Sequence, residues 1–238
     1  MAINTLRAAA GSRLALFGRW PIATRHVEPS LIASPSGGPS ARLLDVALQA
    51  VAGARLVDLE WLAARDRSAF INIWPGEHYK LLVALVTLLR PQTVVEIGTA
   101  TGASALAMKS ALSEDAKLVT FDIVPWQAVP QTVLREEDFT DGRLEQRLED
   151  LSTPTGWRAN AELLRGAELI FLDALHDGEQ ERNFLRGFEE VGLAAAPILV
   201  LDDIRLWRML SFWEGIERPK LDLTSFGHWS GTGLVDFA

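Results

Sequence analysis

Val94-Val95-Glu96-Ile97-Gly98-Thr99-Ala100-Thr101-Gly102-Ala103-Ser104 decides the fold of this chain. Val94, Val95 and Ile97 are β-branched and apolar, as a parallel strand buried on both faces requires. Gly98 and Gly102 bracket a turn in which side chains would obstruct a ligand approaching the backbone. Residues 103–112 have helical composition, and the free N–H groups at that helix start face whatever lies over the turn. Strand, glycine turn and helix in this order form a binding element for a nucleoside-bearing cofactor.

The pattern continues on both sides of the turn. Apolar strands are expected near 92–98, 117–122, 143–149, 167–173 and 197–202, separated by helices, with two more near 220–225 and 231–237. Such alternation is the mark of a parallel α/β sheet. Upstream, Ser34-Pro35-Ser36-Gly37-Gly38-Pro39-Ser40 reads as a linker. Ser40 then caps a helix carrying Leu43, Leu44, Ala47, Leu48 and Val51, which Gly53 is expected to break before a second piece at 56–62. Pro75-Gly76-Glu77 opens a leucine-rich helix that Pro91 closes. The division expected is an arm with helices over 1–69, its linker at about 34–40, and a catalytic domain over 70–238.

At 238 residues the chain can bury a substantial core, and 48% hydrophobic with 23% charged residues is ordinary for a globular enzyme. A formal charge of −8 argues against a nucleic-acid or anionic-membrane surface. With no cysteine, disulfides, thiolate nucleophiles and thiolate metal sites are excluded. Residues 1–25 hold Arg7, Arg13, Arg19 and Arg25 and no acid, but Gly11, Ser12 and Arg13 interrupt their apolar runs. No run approaches the ~20 residues of a membrane span. A partner-contacting or site-covering arm in a cytoplasmic protein is preferred over a transit peptide or membrane-touching arm.

A dinucleotide site wants G-x-G-x-x-G, whereas Gly98 and Gly102 stand as G-x-x-x-G behind Glu96. The spelling E-I-G-T-x-T-G-x-S resembles the first motif of class I S-adenosylmethionine-dependent methyltransferases, nearest to the small-molecule O-methyltransferases of the catechol and caffeoyl-CoA type. The resemblance covers roughly residues 70–238. It implies a Rossmann-like seven-stranded sheet, mostly parallel, with helices on both faces and an antiparallel last strand, here with an N-terminal helical extension. Asp122, ending Lys117-Leu118-Val119-Thr120-Phe121-Asp122, lies where a carboxylate accepts ribose hydroxyls. By position, Gly98, Thr99 and Gly102 form the cofactor turn and Ser104 meets the methionine carboxylate. Asp150 stands near the adenine amino group with Ser152 beside it; Glu149 serves instead under a one-residue shift.

Two further strand ends carry acids: Asp173, in Leu172-Asp173-Ala174-Leu175-His176-Asp177, and the pair Asp202-Asp203. Ligands in open α/β sheets bind outside the carboxyl ends of the strands, so these three converge if strands four and five are neighbours. Three carboxylates suit Mg²⁺, Mn²⁺ or Ca²⁺ rather than zinc. The resembled metal-dependent family has Asp at Asp173, Asp at Asp202 and Asn where Asp203 stands. Asp203 as a cap of a following helix is the plainer reading.

His176 holds the position of the lysine base in catechol O-methyltransferase, and an imidazole takes a proton near neutral pH; a loop histidine bonded to Asp177 or Asp203 is its alternative. His78 and Tyr79 start the helix before the first strand and read as surface or capping residues in preference to a reach to the cofactor's edge, and His26 and His228 read as isolated. Trp74, Trp126, Trp207, Trp213 and Trp229 are candidates for an aromatic-accepting wall, and Arg205, Trp207 and Arg208 for selecting an anionic acceptor.

The expected function is methyl transfer to a hydroxyl of a small molecule, with a vicinal diol or catechol first, assisted by a divalent ion, with Asp173 and His176 at the chemistry. Two other readings stand: a metal-independent sugar or natural-product O-methyltransferase, and a non-catalytic cofactor-binding protein. A homodimer through the N-terminal helices is expected by family resemblance.

Overall fold

The structure, a computed structural model, describes residues 38–66, 70–72 and 76–238. The arm with His26, most of the linker, and Trp74 with Pro75 lie outside the described residues. Helices α1 (Ala41–Ala54), α2 (Glu60–Ala63) and α3 (His78–Leu89) lead into the sheet. Strand β1 (Thr93–Ile97) is followed by α4 (Ala103–Ser110), β2 (Lys117–Asp122) and β3 (Leu144–Leu148). Helices α5 (Pro154–Ala159) and α6 (Ala161–Arg165) precede β4 (Leu169–Leu172), α7 (Glu179–Val191) and β5 (Ile198–Asp202). Helix α8 (Met209–Glu214) and strands β6 (Lys220–Asp222) and β7 (Thr232–Asp236) complete the order.

The seven strands lie in the order β3-β2-β1-β4-β5-β7-β6. Strands β1 to β5 are parallel, and β7 runs antiparallel to both of its neighbours, so the expected mostly parallel sheet is the observed one. Side chains alternate between the two faces of a strand. Val94, Phe171 and Val200 pack with α1, α3 and α4 on one face; Val95, Ile170 and Leu199 pack on the other with Trp157, Phe184 and Trp213. Burying each such side chain contributes roughly 1.5–3 kcal/mol, which is why the strands read as continuous apolar runs.

Ser40 caps α1 as expected, its hydroxyl accepting the Leu43 N–H at 3.0 Å. Gly53 stands one residue before that helix ends at Ala54, and the second piece follows as α2, so the break falls where expected. Gly53 faces Ala84 on α3, and helix packing there outweighs the roughly 1 kcal/mol that a glycine costs within a helix. Helix α1 is also tied to the far end of the sheet. Ser40 Oγ and Arg42 Nη1 donate to the two Asp236 oxygens on β7, at 2.5 and 2.6 Å.

Strand order reverses at β1, which pairs with β2 on one side and β4 on the other. The crevice of an open α/β sheet forms at that reversal. Gly98 stands on its wall with φ +100, and a Cβ there would lie 1.6 Å from the Asp173 carbonyl oxygen. Gly102 has φ +80, and a Cβ there would lie 2.3 Å from Cγ of the Leu134 side chain. The protein's own packing therefore demands both glycines, before any ligand is considered. We expect Gly98→Ala to destabilise the fold by about 3 kcal/mol or more, through combined clash and left-handed strain. Urea unfolding against wild type reads that loss, and an unchanged midpoint would contradict the close approach.

Candidate active site

Glu96, Asp173 and Asp202 share the strand parity of Val94, Phe171 and Val200 and so belong to the face covered by α3 and α4. Simple alternation would send Asp203 to the opposite face. Its left-handed backbone, φ +55, reverses the chain instead. Asp173, Asp202 and Asp203 accordingly line one cavity of about 300 Å³, together with His78, Tyr79 and His228. Asp203 caps no helix: a turn follows it, closed by the Leu206 N–H on the Asp203 carbonyl, and α8 starts only at Met209.

A second cavity of about 320 Å³ lies beyond the glycine turn, walled by Phe121, Ile123 and Leu151 with Gly98, Asp122 and Asp150. Ala100 and Asp173 line both cavities. Asp122 Oδ2 accepts the N–H groups of Thr99 and Ala100, each at 3.0 Å, and Oδ1 accepts that of Val124 at 3.0 Å. Three of its roughly four lone-pair sites are thus taken by the turn, leaving room for one further donor. Asp150 accepts from the Ser152 N–H and hydroxyl at 2.8 and 2.6 Å, whereas Glu149 is held by Asn160.

Thr99 and Ser104 line the cavity of the three acids, Ser104 from the first turn of α4. The Thr99 hydroxyl is bonded to that of Thr120 at 2.8 Å. Below them Glu96 is 0% exposed. The Ser104 and Thr120 hydroxyls favour its charged form, but neither closes a hydrogen bond, and both carboxylate oxygens are unpartnered. Burial dominates and pushes the Glu96 carboxyl up to about 8.

His176 also has positive φ, +58, and its Nε2 reaches Asp173 Oδ1 at 3.2 Å and Asp203 Oδ2 at 3.5 Å. Asp177 is not its partner; that carboxylate caps α7 through the N–H groups of Glu179 and Gln180.

Two histidines depart from their expected places. His78 and His228, read as surface and isolated residues, are buried and flank Asp202, with ring centroids 4.5 Å apart. Tyr79, also expected at the surface, walls the same cavity. Sequence spacing hides this set because its members come from α3, β5 and the loop before β7. The one local signal was the His228-Trp229 pair just ahead of the glycine-rich start of the last strand.

Of the tryptophans, Trp229 lines the cavity, Trp126 stacks on Phe139, Trp213 is buried on the opposite sheet face, and Trp207 is 81% exposed. Arg205 is engaged by Asp222 at 2.7 Å, which removes it from selecting an anionic acceptor.

Residues 95–204 match the family model described as a methyltransferase domain. Residues 95–204 are a methyltransferase domain. No curated protein matches the chain in sequence. Among solved structures it is similar to a methyltransferase from Geobacter sulfurreducens, at 20% identity over 75% of this chain and 88% of that one, with TM-score 0.55. It is also similar to the Streptomyces achromogenes O-methyltransferase TomG in complex with S-adenosylmethionine, at 18% identity over 79% and 94%, with TM-score 0.52. For the S-adenosylhomocysteine-bound Podospora anserina methyltransferase PaMTH1 the values are 18%, 81%, 88% and 0.50. At these identities the likeness is one of fold, and the fold is that of the class I methyltransferases. No helix among the described residues is long and apolar enough to cross a membrane.

The methyltransferase domain thus gathers three acids at one rim, and their charges govern His176. Burial pulls its imidazolium pKa down, but the hydrogen bond and charge of Asp173, then Asp203 and Asp202, outweigh it and push the pKa up to about 9. A raised pKa means that the ring is protonated at pH 7 in the ion-free protein and cannot then accept a proton. Burial and the Asp202 charge raise Asp173 and Asp203 in turn. In the protein stripped of divalent ions, NMR titration of the His176 ring is expected to give a midpoint near 9. Asp173→Asn should move it down toward the ordinary 6.5, because the anion that holds the proton is gone; an unchanged midpoint would refute that cause.

Proposed function

We propose that this protein is an enzyme that moves the methyl group of S-adenosylmethionine to a hydroxyl oxygen of a small molecule. The observation that carries the reading is the junction of the two cavities at Ala100 and Asp173, between an apolar-walled recess and a rim of acids. In this reading the recess takes the adenosine, with Asp122 accepting one ribose hydroxyl through its remaining lone pair. Asp150, steadied by Ser152, faces the adenine amino group, and Gly98, Thr99 and Gly102 shape the turn beneath. Ser104 receives the methionine carboxylate at the start of α4. Glu96, kept protonated by burial while it has no partner, would ionise opposite the cationic end of the same ligand, because a buried carboxylate needs a counter-charge.

The cofactor supplies a methyl group already activated on a sulfonium, and a divalent ion held by Asp173, Asp202 and Asp203 would lower the pKa of an acceptor hydroxyl. Three mutually repelling carboxylates in one cavity fit such an ion. It would also cancel the charge that keeps His176 protonated. His176, oriented by Asp173 and Asp203, then takes the acceptor proton as the hydroxyl oxygen aligns with the methyl group. Trp229, Tyr79 and Leu206 offer apolar walls to a ring. A catechol or a vicinal diol suits both the walls and the acids. The contact between His176 and Asp173 supports a second reading, in which the pair works on a sugar or natural-product hydroxyl without an ion. A homodimer is proposed alongside, for which the exposed Leu48 on α1 and Leu56 just after it are the support.

Calorimetric titration with S-adenosylhomocysteine tests the reading. Micromolar binding is expected, weakened about ten- to a hundredfold in Asp122→Asn by loss of a charge-assisted hydrogen bond. No binding would overturn the methyltransferase reading. On a panel of catechols and diols followed by mass spectrometry, His176→Gln should lower kcat by about 10²–10⁴ while cofactor affinity holds. Turnover that survives complete chelation would select the ion-free mechanism, and cofactor binding without turnover on any acceptor would favour a non-catalytic protein.

A further inference from the structure

Asp202 has neighbours that an all-carboxylate site would not need. His78 enters from the first turn of α3 and His228 from the loop before β7, and both are buried with Asp202 between them. One ligand-capable atom from each of the three residues lies within 4.8 Å of the others. His228 Nε2 meets Asp202 Oδ1 at 2.5 Å, while His78 Nε2 stands 3.8 Å from Asp202 Oδ2, beyond hydrogen-bond range. The two rings cross at 85°. Both Nε2 atoms therefore aim at one carboxylate, from two directions.

The opposite ring nitrogens are held by hydroxyls. His228 Nδ1 pairs with Ser230 Oγ at 2.6 Å, and His78 Nδ1 with Thr232 Oγ1 at 3.4 Å. Metal-binding histidines need this outer support, because an Nδ1–H directed at an oxygen fixes the tautomer whose Nε2 lone pair faces the ion.

We propose that His78, Asp202 and His228 form a two-imidazole, one-carboxylate site for a first-row transition ion. This deepens the methyl-transfer reading, on which it rests for the role of Asp202, by putting the two imidazoles in place of Asp173 and Asp203 as the ion's other donors. Mg²⁺ keeps oxygen ligands and its own waters, whereas imidazole favours zinc, iron, cobalt or nickel. At bonds of about 2.0–2.2 Å neighbouring donors on one ion stand about 3–3.5 Å apart, so the His228–Asp202 contact opens and His78 draws in on binding. The ion replaces the proton that His228 Nε2 shares with Asp202. The positive charge left over faces Asp173 and Asp203 across the same cavity.

The test is Co²⁺ titration of the full chain after chelation, followed by visible absorption and by proton NMR. Two exchangeable imidazole N–H signals shifted far from the diamagnetic range are expected, and a large excess of Mg²⁺ should not remove them. This count needs no substitution, so it stands even where a buried histidine variant fails to fold. His228→Gln and His78→Gln should each erase one signal and weaken Co²⁺ about tenfold or more, whereas Asp173→Asn keeps both signals. Co²⁺ bound without shifted imidazole signals, signals that survive both histidine substitutions, or no Co²⁺ binding would each overturn the proposal. S-adenosylhomocysteine calorimetry on the same sample separates the two claims: intact cofactor binding without the metal signals sinks this site alone, and the converse sinks methyl transfer alone.

Discussion

The meeting of Gly98 with the Asp173 carbonyl is the contact on which the rest depends. It lies where strand order reverses, between the ends of β1 and β4, and brings two backbones closer than any side chain permits. Because it is so close, Asp173 can border both cavities at once. A wider seam would part the adenosine recess from the acid rim. The same contact explains why the turn cannot vary freely even though Ala100 within it is exposed.

Around that seam the protein stores unfavourable arrangements and balances them against one another. Ala100, His176, Asp203 and Trp207 all carry positive φ without being glycine, and all lie on loops at the carboxyl ends of the strands. Such conformations cost of order 1–3 kcal/mol each and persist only where packing over-determines them. The charge arrangement is similar. Burial resists ionisation of Asp202, but His78 and His228 outweigh it and hold that carboxyl below its usual range, while Asp173 and Asp203 are driven up. A group of acids and imidazoles at different points of their titrations suits proton movement better than structural pairing.

Much of this was legible in the residues. Strands buried on both faces announce themselves as apolar runs, so the sheet, its order of elements and the acids at the ends of β4 and β5 could be read directly. The meeting of Asp173, Asp202 and Asp203 followed from the rule that ligands gather at strand carboxyl ends. Three things were not legible, each for a physical reason. The burial of His78 and His228 arises from elements far apart in the chain, and no local spacing encodes it. The backbone reversal at Asp203 breaks the two-residue alternation on which facing arguments rest. Arg205 looked free because its partner, Asp222, sits on a strand that pairs two elements later.

The bond between Ser40 and Asp236 joins residues 196 positions apart, and Arg42 shares the same carboxylate. During synthesis α1 emerges early, with its apolar stripe of Leu43, Val46, Ala47 and Ala50 complete. Part of what it docks against, β7, emerges almost two hundred residues later. Contacts of such range are slow to form because a long loop must close first. The first described helix of this protein therefore waits for its last described strand, and in that interval the nascent chain carries an exposed apolar face that chaperones would have to shield.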